Sequence, residues 1–412
     1  MTNIPQEISS PHFILHRFIH SFIHSFAGDL SISTKSGITK VSTRCNLCNA
    51  DDYELVTTGR EHEYDNTTAD DFNVVRCTKC GLIYLNPRPD VSELSTIYPV
   101  NYYSYNQKAL RDQANPNSIL HQLRYKGFQA KIRKSLSLCE HENESAEGKL
   151  AGGGSTGTRS TGSGATGSGS TESGSTGNRS PGRGAHPPRW SVLDIGCGDG
   201  HTLDLYARHP GVKTYGVDFN LVALELARSN GHTVYEGSFE KAELPSNLFD
   251  LVTATHVIEH VADPRQFLLK VHHVLRADGI LWLETPNIGS MDATWFRARH
   301  WGAYHFPRHW FFFSRETLTK LAASAGFEPV FTDFVPNAIF WFWTFHSMLI
   351  EKFPRSRKFV DILLPPIDFQ KDTFANFVRI CFFCVIDVII KKATGETSNM
   401  IMAFKKTEHA DL

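Results

Sequence analysis

The sequence predicts an α/β fold with a mostly parallel sheet, preceded by a small cysteine-based module. Two observations support this prediction. From residue 190 onward, short apolar segments alternate with amphipathic ones, which is typical of a parallel sheet covered by helices on both faces. Upstream, two Cys-x-x-Cys pairs lie within residues 41–100. The chain has 412 residues, which is enough for two or three domains with a sizeable core.

The composition narrows the class of protein. A formal net charge of −1 gives no global indication of a polyanionic partner. Eight cysteines are too few for a disulfide scaffold, and their paired spacing favours a reducing, metal-binding context. The apolar start of the chain lacks the cationic leader of a signal peptide, and no uncharged run reaches the roughly 20 residues of a bilayer span. We therefore expect a cytoplasmic protein, with membrane association left open.

Residues 1–40 contain a predicted amphipathic helix at 11–26, with an apolar stripe along one side. Histidines recur every fourth residue on another face of this helix: His12, His16, His20 and His24. Histidines at this spacing could share a metal. The favoured interpretation is a polar face on a helix that contacts a surface or a membrane.

Residues 41–110 form the predicted cysteine module. Its two pairs consist of Cys45, Cys48, Cys77 and Cys80. Each pair can form a zinc knuckle, and four thiolates can coordinate one metal ion tetrahedrally, which is typical of a structural zinc site. Gly81 suits the tight turn that the second knuckle needs. Redox-active thiols or a grip on nucleic acid are the alternatives, but residues 41–100 hold five Lys/Arg against ten Asp/Glu, which disfavours the latter.

Residues 111–140 connect this module to the rest of the chain, and 118–138 predict a basic helix. The following segment, 141–189, is dominated by Gly, Ser and Thr. Such a composition cannot bury enough apolar surface to order itself, so we expect a flexible linker. On this interpretation the linker separates the module and the basic helix from the sheet domain.

Residues 190–412 carry the alternating pattern. Strands are predicted at 191–196, 214–218, 233–237, 249–255, 279–286, 327–334 and 399–406. Helices are predicted near 201–208, 220–230, 264–276 and 314–326. Pro264 begins the third of these, and Ser314 caps the fourth with Glu316 in its first turn. We expect 399–406 to be the last strand of the same sheet.

An apolar insertion at 335–395 precedes that last strand. Its segments 337–350 and 374–390 are strongly apolar and predicted to be helical. Arg379 and Asp387 disfavour a bilayer span. A helical hairpin that caps the active site and a peripheral membrane contact both stay open. Two further cysteines are expected to be buried and inert rather than a redox pair: Cys381 and Cys384.

A glycine-rich turn follows the first strand of this pattern. The segment VLDIGCGDG contains Gly196, Gly198 and Gly200 between strand and helix, where glycine lets the backbone turn tightly and approach a ligand closely. Asp194 lies in the strand, and Asp218 ends the next strand, where a carboxylate can accept both hydroxyls of a ribose. A dinucleotide-binding turn or a plain glycine turn is the alternative interpretation.

Several ordered motifs resemble the class I S-adenosylmethionine-dependent methyltransferases: VLDIGCGDG, GVDFN, FDLVTATHVIEHVADP, VLRADGILWLETPN and PRHWFFFSRETLTKLAASAGF. The resemblance covers about 190–334 and the last strand. It implies a Rossmann-like α/β fold, with a seven-stranded, mostly parallel sheet whose last strand is reversed. It also implies S-adenosyl-L-methionine as cofactor, bound by Asp194, Gly196, Gly198, Gly200, Asp218, Phe219, Ser238, Phe239 and His256.

Within that set, the resemblance implies a role for each residue. The glycines and Asp194 would line the methionine end of the cofactor. Asp218 would hold the ribose, and Phe219 would flank the adenine. Ser238 and Phe239 lie where such enzymes usually contact the adenine. His256 would face the methyl-donor side.

Methyl transfer requires in-line positioning of a nucleophile, and a general base where the acceptor must lose a proton. The segment HVIEH supplies three catalytic candidates at the mouth of the site: His256, Glu259 and His260. Glu259 could orient or polarise a histidine, or it could brace the following loop together with His260. Three further residues could bind an acidic or hydroxylated substrate, unless they only pack the loop: His305, Arg308 and His309.

The front module resembles the zinc-binding module that precedes the catalytic domain in sugar C-methyltransferases and their relatives, through CNLC, CTKCGLIYLNPRP and YPVNYYSY. This resemblance implies that a tyrosine of the module reaches the acceptor, namely Tyr102, Tyr103 or Tyr105. We therefore expect methyl transfer to a small-molecule acceptor of sugar, lipid-linked or secondary-metabolite type. The alternatives are an RNA methyltransferase or a zinc-dependent nucleic-acid-binding protein, suggested by the basic residues at 124–134, and an inactive scaffold.

Overall fold

The computed structural model describes residues 37–64, 66–99, 102, 116–151, 189–364, 371 and 373–408, and within 141–151 it describes the backbone alone. Some sequence predictions therefore lie outside the described residues. These are the helix at 11–26, the candidates Tyr103 and Tyr105, and the linker over 152–188.

The cysteine module consists of short antiparallel strands. These are β1 (Lys40–Val41), β2 (Tyr53–Arg60), β3 (Asp71–Cys77), β4 (Ile83–Leu85) and β5 (Arg88–Pro89), followed by the short helix α1 (Leu94–Ile97). β3 pairs with β2 and β4, and β1 pairs with β5. Phe72 and Val74 of β3 point to the same side of the strand and are buried, so this face of the small sheet packs against the core.

A seven-stranded sheet forms the centre of the fold. Its strands are β6 (Trp190–Ile195), β7 (Val212–Asp218), β8 (Thr233–Glu236), β9 (Phe249–Thr255), β10 (Leu275–Pro286), β12 (Phe327–Phe334) and β13 (Asn399–Lys406). Their spatial order is β12-β13-β10-β9-β6-β7-β8, and β13 runs antiparallel to both of its neighbours. The other neighbours pair in parallel. The predicted parallel sheet with a reversed last strand is confirmed.

Helices cover this sheet, and local sequence signals explain where several begin. They are α2 (Ile119–Ala151), α3 (His201–Ala207), α4 (Leu221–Ser229), α5 (Pro264–Val274), α6 (Met291–Phe296) and α7 (Arg315–Ala323). The Asp263 side chain caps α5 ahead of Pro264. Ser314 and Thr317 cap α7 reciprocally, each side chain accepting from the other's backbone N–H. Both of these predicted helix starts are confirmed.

Helix α2 packs on the central sheet although the linker segment follows it in the chain. Ile132 and Leu136 lie in one buried apolar cluster with Val192 of β6 and Ile280 of β10. Lys131 Nζ donates to both carboxylate oxygens of a buried glutamate, Glu284, at 2.8 and 2.6 Å. The basic helix is thus a layer of the sheet domain, whereas the sequence interpretation had it on the far side of the linker.

The cysteine module and the sheet domain share one core. The short strand β11 (Phe311–Phe312) comes from the chain between β10 and α7, yet it pairs with β4 of the module. Tyr84 stands opposite Phe311 and Ile83 opposite Phe312 in this pairing. A single apolar cluster contains residues of both parts. The position of the module relative to the sheet is therefore fixed by main-chain pairing as well as by packing.

Three helices precede the last strand: α8 (Ala338–Lys352), α9 (Arg357–Leu363) and α10 (Phe374–Thr394). The apolar side chains of the first half of α8, Phe340, Trp341, Phe342 and Trp343, are buried. Gly302 lets α8 approach closely, since a Cβ there would lie 2.0 Å from the Phe340 carbonyl oxygen. In the described part of the chain, none of the helices combines the length and apolarity needed to cross a membrane.

Candidate active site

The glycine turn lies at the carboxyl end of β6, at the point where the strand order reverses. Gly196, Gly198 and Gly200 have φ values of 73°, 52° and 84°, a left-handed conformation that favours glycine. A Cβ at Gly200 would approach Ala227 to 3.0 Å, so this glycine serves helix packing. A Cβ at Gly198 would meet no atom within 4 Å, which leaves open space beside this part of the turn.

Asp218 ties the end of β7 to this turn. Its carboxylate accepts hydrogen bonds from the backbone N–H of Gly198 at 2.9 Å and of Asn220 at 2.8 Å. Burial raises the pKa of Asp218, and these two N–H donors counteract the rise. The neighbouring Phe219 is 62% exposed, so its ring offers an open apolar face next to the carboxylate.

The remaining cofactor candidates occupy different environments. Asp194 is buried and accepts a hydrogen bond of 2.6 Å from the Thr253 hydroxyl, and burial raises its pKa to about 7. Ser238 is half-buried, and its carbonyl accepts from two backbone N–H groups of the following turn. Phe239 is buried in the core, where its ring packs edge-on against Phe267 at 5.2 Å.

His256 and Glu259 form a hydrogen-bonded pair just after β9. His256 has a φ of 52° and lies 3.0 Å from Glu259 Oε1 through its Nδ1 atom. The second oxygen of this fully buried carboxylate accepts from Thr285 Oγ1 at 3.0 Å. Although burial opposes ionisation, His256 lowers the pKa of Glu259 to about 2. In return Glu259 raises the pKa of His256 against the effect of burial, so the pair favours an ionised carboxylate.

His260 contacts both the module and the loop after β10. Its Nδ1 atom lies 3.0 Å from the Arg308 carbonyl oxygen and 2.9 Å from the Tyr98 hydroxyl. A carbonyl can only accept, so Nδ1 carries the proton in this arrangement and Nε2 keeps its lone pair. Burial lowers the pKa of His260. The ring is therefore held neutral near pH 7, with one nitrogen able to accept a proton.

Arg308 anchors the module to the sheet domain. Its fully buried guanidinium forms ion pairs with Glu61 and with Glu63. Its Nε atom donates to the Ile97 carbonyl at 2.8 Å, and its Nη1 atom donates to the Phe306 carbonyl at 3.1 Å. These contacts engage most of its donors inside the protein.

His305 and His309 are buried in the same network. His305 Nδ1 lies 2.6 Å from Glu63, and its Nε2 lies 3.2 Å from the Tyr102 hydroxyl. His309 Nδ1 donates to the Ala303 carbonyl at 2.7 Å. Burial lowers the pKa of both histidines well below its ordinary value, and it raises the pKa of Glu63, an effect that the Arg308 guanidinium opposes. The network thus holds neutral imidazoles near pH 7.

Glu259, His260 and His309 bring three possible ligand atoms within 4.8 Å of one another. In the described part of the chain this is one of two such groupings. Both oxygens of Glu259 already have partners, as the preceding contacts show. His260 and His309 likewise have hydrogen-bond partners outside the grouping, so we do not interpret it as a metal site.

The second grouping consists of the four module cysteines, whose sulfur atoms lie within 4.8 Å of one another. The Cys45 and Cys80 sulfurs are 3.4 Å apart, and those of Cys48 and Cys77 are 3.5 Å apart. Each pair is followed by a residue in the left-handed conformation, Asn49 with φ 58° and Gly81 with φ 81°. The two CxxC turns thus have matching shapes and direct four thiols to one point. A donor set of four thiols suits a soft or borderline divalent metal.

The structure brings together the residues predicted from HVIEH and from the loop after β10, and Tyr102 joins them. It adds three residues that sequence reasoning missed: Glu61, Glu63 and Tyr98. Tyr98 opens the YPVNYYSY segment from which the other tyrosine candidates were taken, so that motif was the available signal. Nothing in the sequence pairs Glu61 or Glu63 with Arg308, because this contact depends on the packing of the two parts.

Comparison with known proteins finds similarity to methyltransferases. Residues 169–331 match a family model described as a methyltransferase domain. A ubiquinone biosynthesis O-methyltransferase from Schizosaccharomyces pombe is 38% identical over 103 residues, 23% of this chain and 37% of that protein. One from Ruegeria pomeroyi is 30% identical over 174 residues, 37% of this chain and 66% of that protein. The chain therefore spans less than two thirds of the length of these relatives.

A solved structure is similar over about half of this chain. It is a putative sarcosine dimethylglycine methyltransferase from Galdieria sulphuraria, 16% identical, with a TM-score of 0.37 over 54% of this chain and 80% of that one.

Proposed function

We propose, on the premise that residues 169–331 match a methyltransferase domain, that this chain transfers a methyl group from S-adenosylmethionine to a hydroxyl of a small molecule. One observation supports this most strongly. The left-handed glycine turn bonded to Asp218 and the neutral imidazole of His260 lie beyond the carboxyl ends of neighbouring parallel strands. The proposed cofactor site and the proposed base would therefore lie at the same edge of the sheet.

The cofactor fits the residues at the turn. Asp218 would accept the ribose hydroxyls, and the exposed ring of Phe219 would cover one face of the adenine. Open space beside Gly198 leaves room for a ligand against the backbone. The buried carboxyl of Asp194 has a raised pKa, and an ammonium group nearby would favour its ionised form. When bound, the cofactor supplies an activated methyl group, and the chain supplies position and proton removal.

His260 is the proposed general base. Its Nδ1 proton is committed to the Arg308 carbonyl, so Nε2 is the nitrogen available to take the acceptor's proton. Glu259 and His256 would then act as positioning residues, because their pairing holds the turn after β9. His305 and His309, buried beside His260, would shield the base from water and so favour its neutral form.

The acceptor would lie between the module and the sheet domain. Tyr98 and Tyr102 of the module reach His260 and His305, and Phe340 of α8 packs against the His256 ring. Three aromatic rings beside a base suit a hydroxylated, largely apolar molecule. The O-methyltransferase names of the relatives support an oxygen acceptor.

The four module cysteines are proposed to hold one structural zinc ion. Four thiolates would complete its coordination and leave no position for substrate, so zinc would shape the module rather than take part in methyl transfer. By ordering the module, it would also hold Tyr98 in reach of His260.

The test is formation of S-adenosylhomocysteine by the full chain with three acceptor classes: hydroxylated aromatic compounds, nucleotide sugars and RNA. We expect formation with at least one hydroxylated small molecule, together with a product heavier by one methyl substitution. The Asp218→Ala variant should be inactive with every class, which excludes a contaminating activity. Turnover with RNA alone, or none with any class, would contradict the proposal.

A further inference from the structure

Helix α10 presents an uninterrupted apolar stripe to solvent. Its members are Phe374, Val378, Phe382, Val385 and Ile389, each between 49% and 81% exposed. At 100° per residue they fall within a narrow arc of the helix, and the stripe extends over about 22 Å. Exposed Lys392 continues the same line at the carboxyl end of the helix.

The opposite face of α10 packs against α8. The Phe383 ring stacks on Trp341 of α8 at 6.1 Å. Asp387 accepts from the Trp341 indole N–H and from the Asn337 backbone N–H, both at 2.8 Å. Asp387, which the sequence analysis took as disfavouring a bilayer span, therefore points into the protein, and the exposed stripe carries no acidic side chain.

A second exposed apolar segment adjoins α8, and Leu364 at its end packs in the same apolar cluster as Phe383 of α10. Phe353, Phe359, Ile362 and Leu363, at the end of α8 and in α9, are 47% to 71% exposed. Exposed cations alternate with them: Lys352, Arg355 and Lys358. Residues 351–363 hold four Lys/Arg and two Asp/Glu. The surface is therefore both apolar and net positive.

From this combination we infer that α9 and α10 bind the surface of an anionic lipid bilayer, with their exposed apolar side chains at the level of the headgroups. Interfacial helices are typically apolar on one side with Lys and Arg beside the apolar residues, and anionic lipid complements that charge. The bilayer would be contacted and not crossed, in keeping with the finding on helix length.

A second copy of the chain is a poorer occupant of this surface. A two-fold interface brings the same patch of each copy together. Lys352, Arg355 and Lys358 would then lie close to the same three cations of the second copy, and these like charges would repel each other. An anionic bilayer provides the opposite charge over an extended plane, so it matches both properties of the surface.

Vesicle flotation tests this inference. The full chain is mixed with phosphatidylcholine vesicles, or with vesicles that contain phosphatidylcholine and phosphatidylglycerol in equal amounts. We expect it to float with the anionic vesicles, and to do so less at high salt and with the neutral vesicles. Phe382→Asp with Ile389→Asp should reduce flotation to the level without vesicles. Leu55→Asp, at an exposed apolar position of β2 (63% exposed), should not.

A second set of variants tests how much the positive side chains contribute to vesicle binding. Replacing Lys352, Arg355 and Lys358 by Gln should weaken flotation with anionic vesicles severalfold, whereas the matched set Lys79→Gln, Lys241→Gln and Lys320→Gln should have little effect. A chain that stays at the bottom with both vesicle types overturns the inference, as does an α10 variant that floats normally. If the unmodified chain does not float but forms a dimer, and Phe382→Asp dissociates that dimer, the surface binds a second copy of the chain instead. The assay uses neither cofactor nor acceptor, so its outcome is independent of the proposed methyl transfer.

Discussion

The Tyr98 hydroxyl lies 2.9 Å from Nδ1 of His260, although 162 positions separate the two residues in the chain. Tyr98 follows the last helix of the cysteine module, and His260 follows the turn after β9. The pairing of β4 with β11 and the Arg308 ion pairs hold these two parts in this relationship. The module therefore contributes directly to the surroundings of the proposed base.

Replacing His260 by Gln should lower kcat/KM by roughly 10²–10⁴-fold, because a general base is lost. Affinity for S-adenosylmethionine should stay unchanged, since His260 does not contact the glycine turn.

Tyr98→Phe removes one hydrogen bond and should lower kcat/KM by roughly tenfold. Steady-state kinetics and calorimetric titration check these outcomes. Tyr53→Phe, an exposed tyrosine of the same module, serves as control.

The pH dependence of kcat/KM should report His260. Burial lowers the pKa of this imidazole from its ordinary value of 6.5. A base acts only when deprotonated, so activity should be lost as pH falls, with an inflection below pH 6.5. The His260→Gln variant should lose this inflection in its residual activity. An inflection above 6.5 that persists in the variant would argue for another base.

Purified protein should contain about one equivalent of zinc per chain, held by the four module cysteines. Cys45→Ser should lose the metal and reduce thermal stability, because the thiolates would no longer be neutralised at one centre. Metal analysis and thermal unfolding measure both effects. Cys381→Ser, outside the module, should keep the zinc. Equal zinc content in the two variants would exclude the cysteine cluster as the site.

Gly302→Ala should lower the free energy of unfolding by about 1–3 kcal/mol or more, since its Cβ would clash with backbone atoms of α8. Gly127→Ala is the matched control, because nothing lies within 4 Å of a Cβ at that exposed helical position. It should stabilise the protein by about 0.5–1 kcal/mol. Chemical denaturation of both variants is the measurement. Similar effects of the two substitutions would contradict the close packing of α8.

Much of the sheet domain could be predicted because its signals are local. The bounds of β9, β12 and β13 agree with the apolar runs, and α7 begins where Ser314 predicts. The glycine turn and Asp218 were identified from spacing, and their hydrogen bond gives that spacing a physical reason. Hydrophobic periodicity and helix-capping residues depend on positions only a few residues apart, so they can be recognised in the sequence alone.

What the sequence did not reveal depends on contacts between distant segments. Pairing of β11 with the module joins residues far apart in the chain, and no local pattern encodes it. Helix α2 looked like a connector because a low-complexity segment follows it, yet its apolar face lies on the sheet. Arg308 looked like a substrate ligand, but its guanidinium is committed to Glu61 and Glu63.

We propose that the glycine turn and Asp218 bind S-adenosylmethionine. Titration calorimetry of the full chain with this cofactor, and separately with NAD, tests it most directly. Loss of the carboxylate in Asp218→Ala should weaken binding by roughly 10²-fold or more, whereas Glu225→Gln, an exposed acid on α4, should not change it. We expect one S-adenosylmethionine site per chain and no binding of NAD. Binding of NAD instead, or unchanged S-adenosylmethionine affinity in Asp218→Ala, would contradict it.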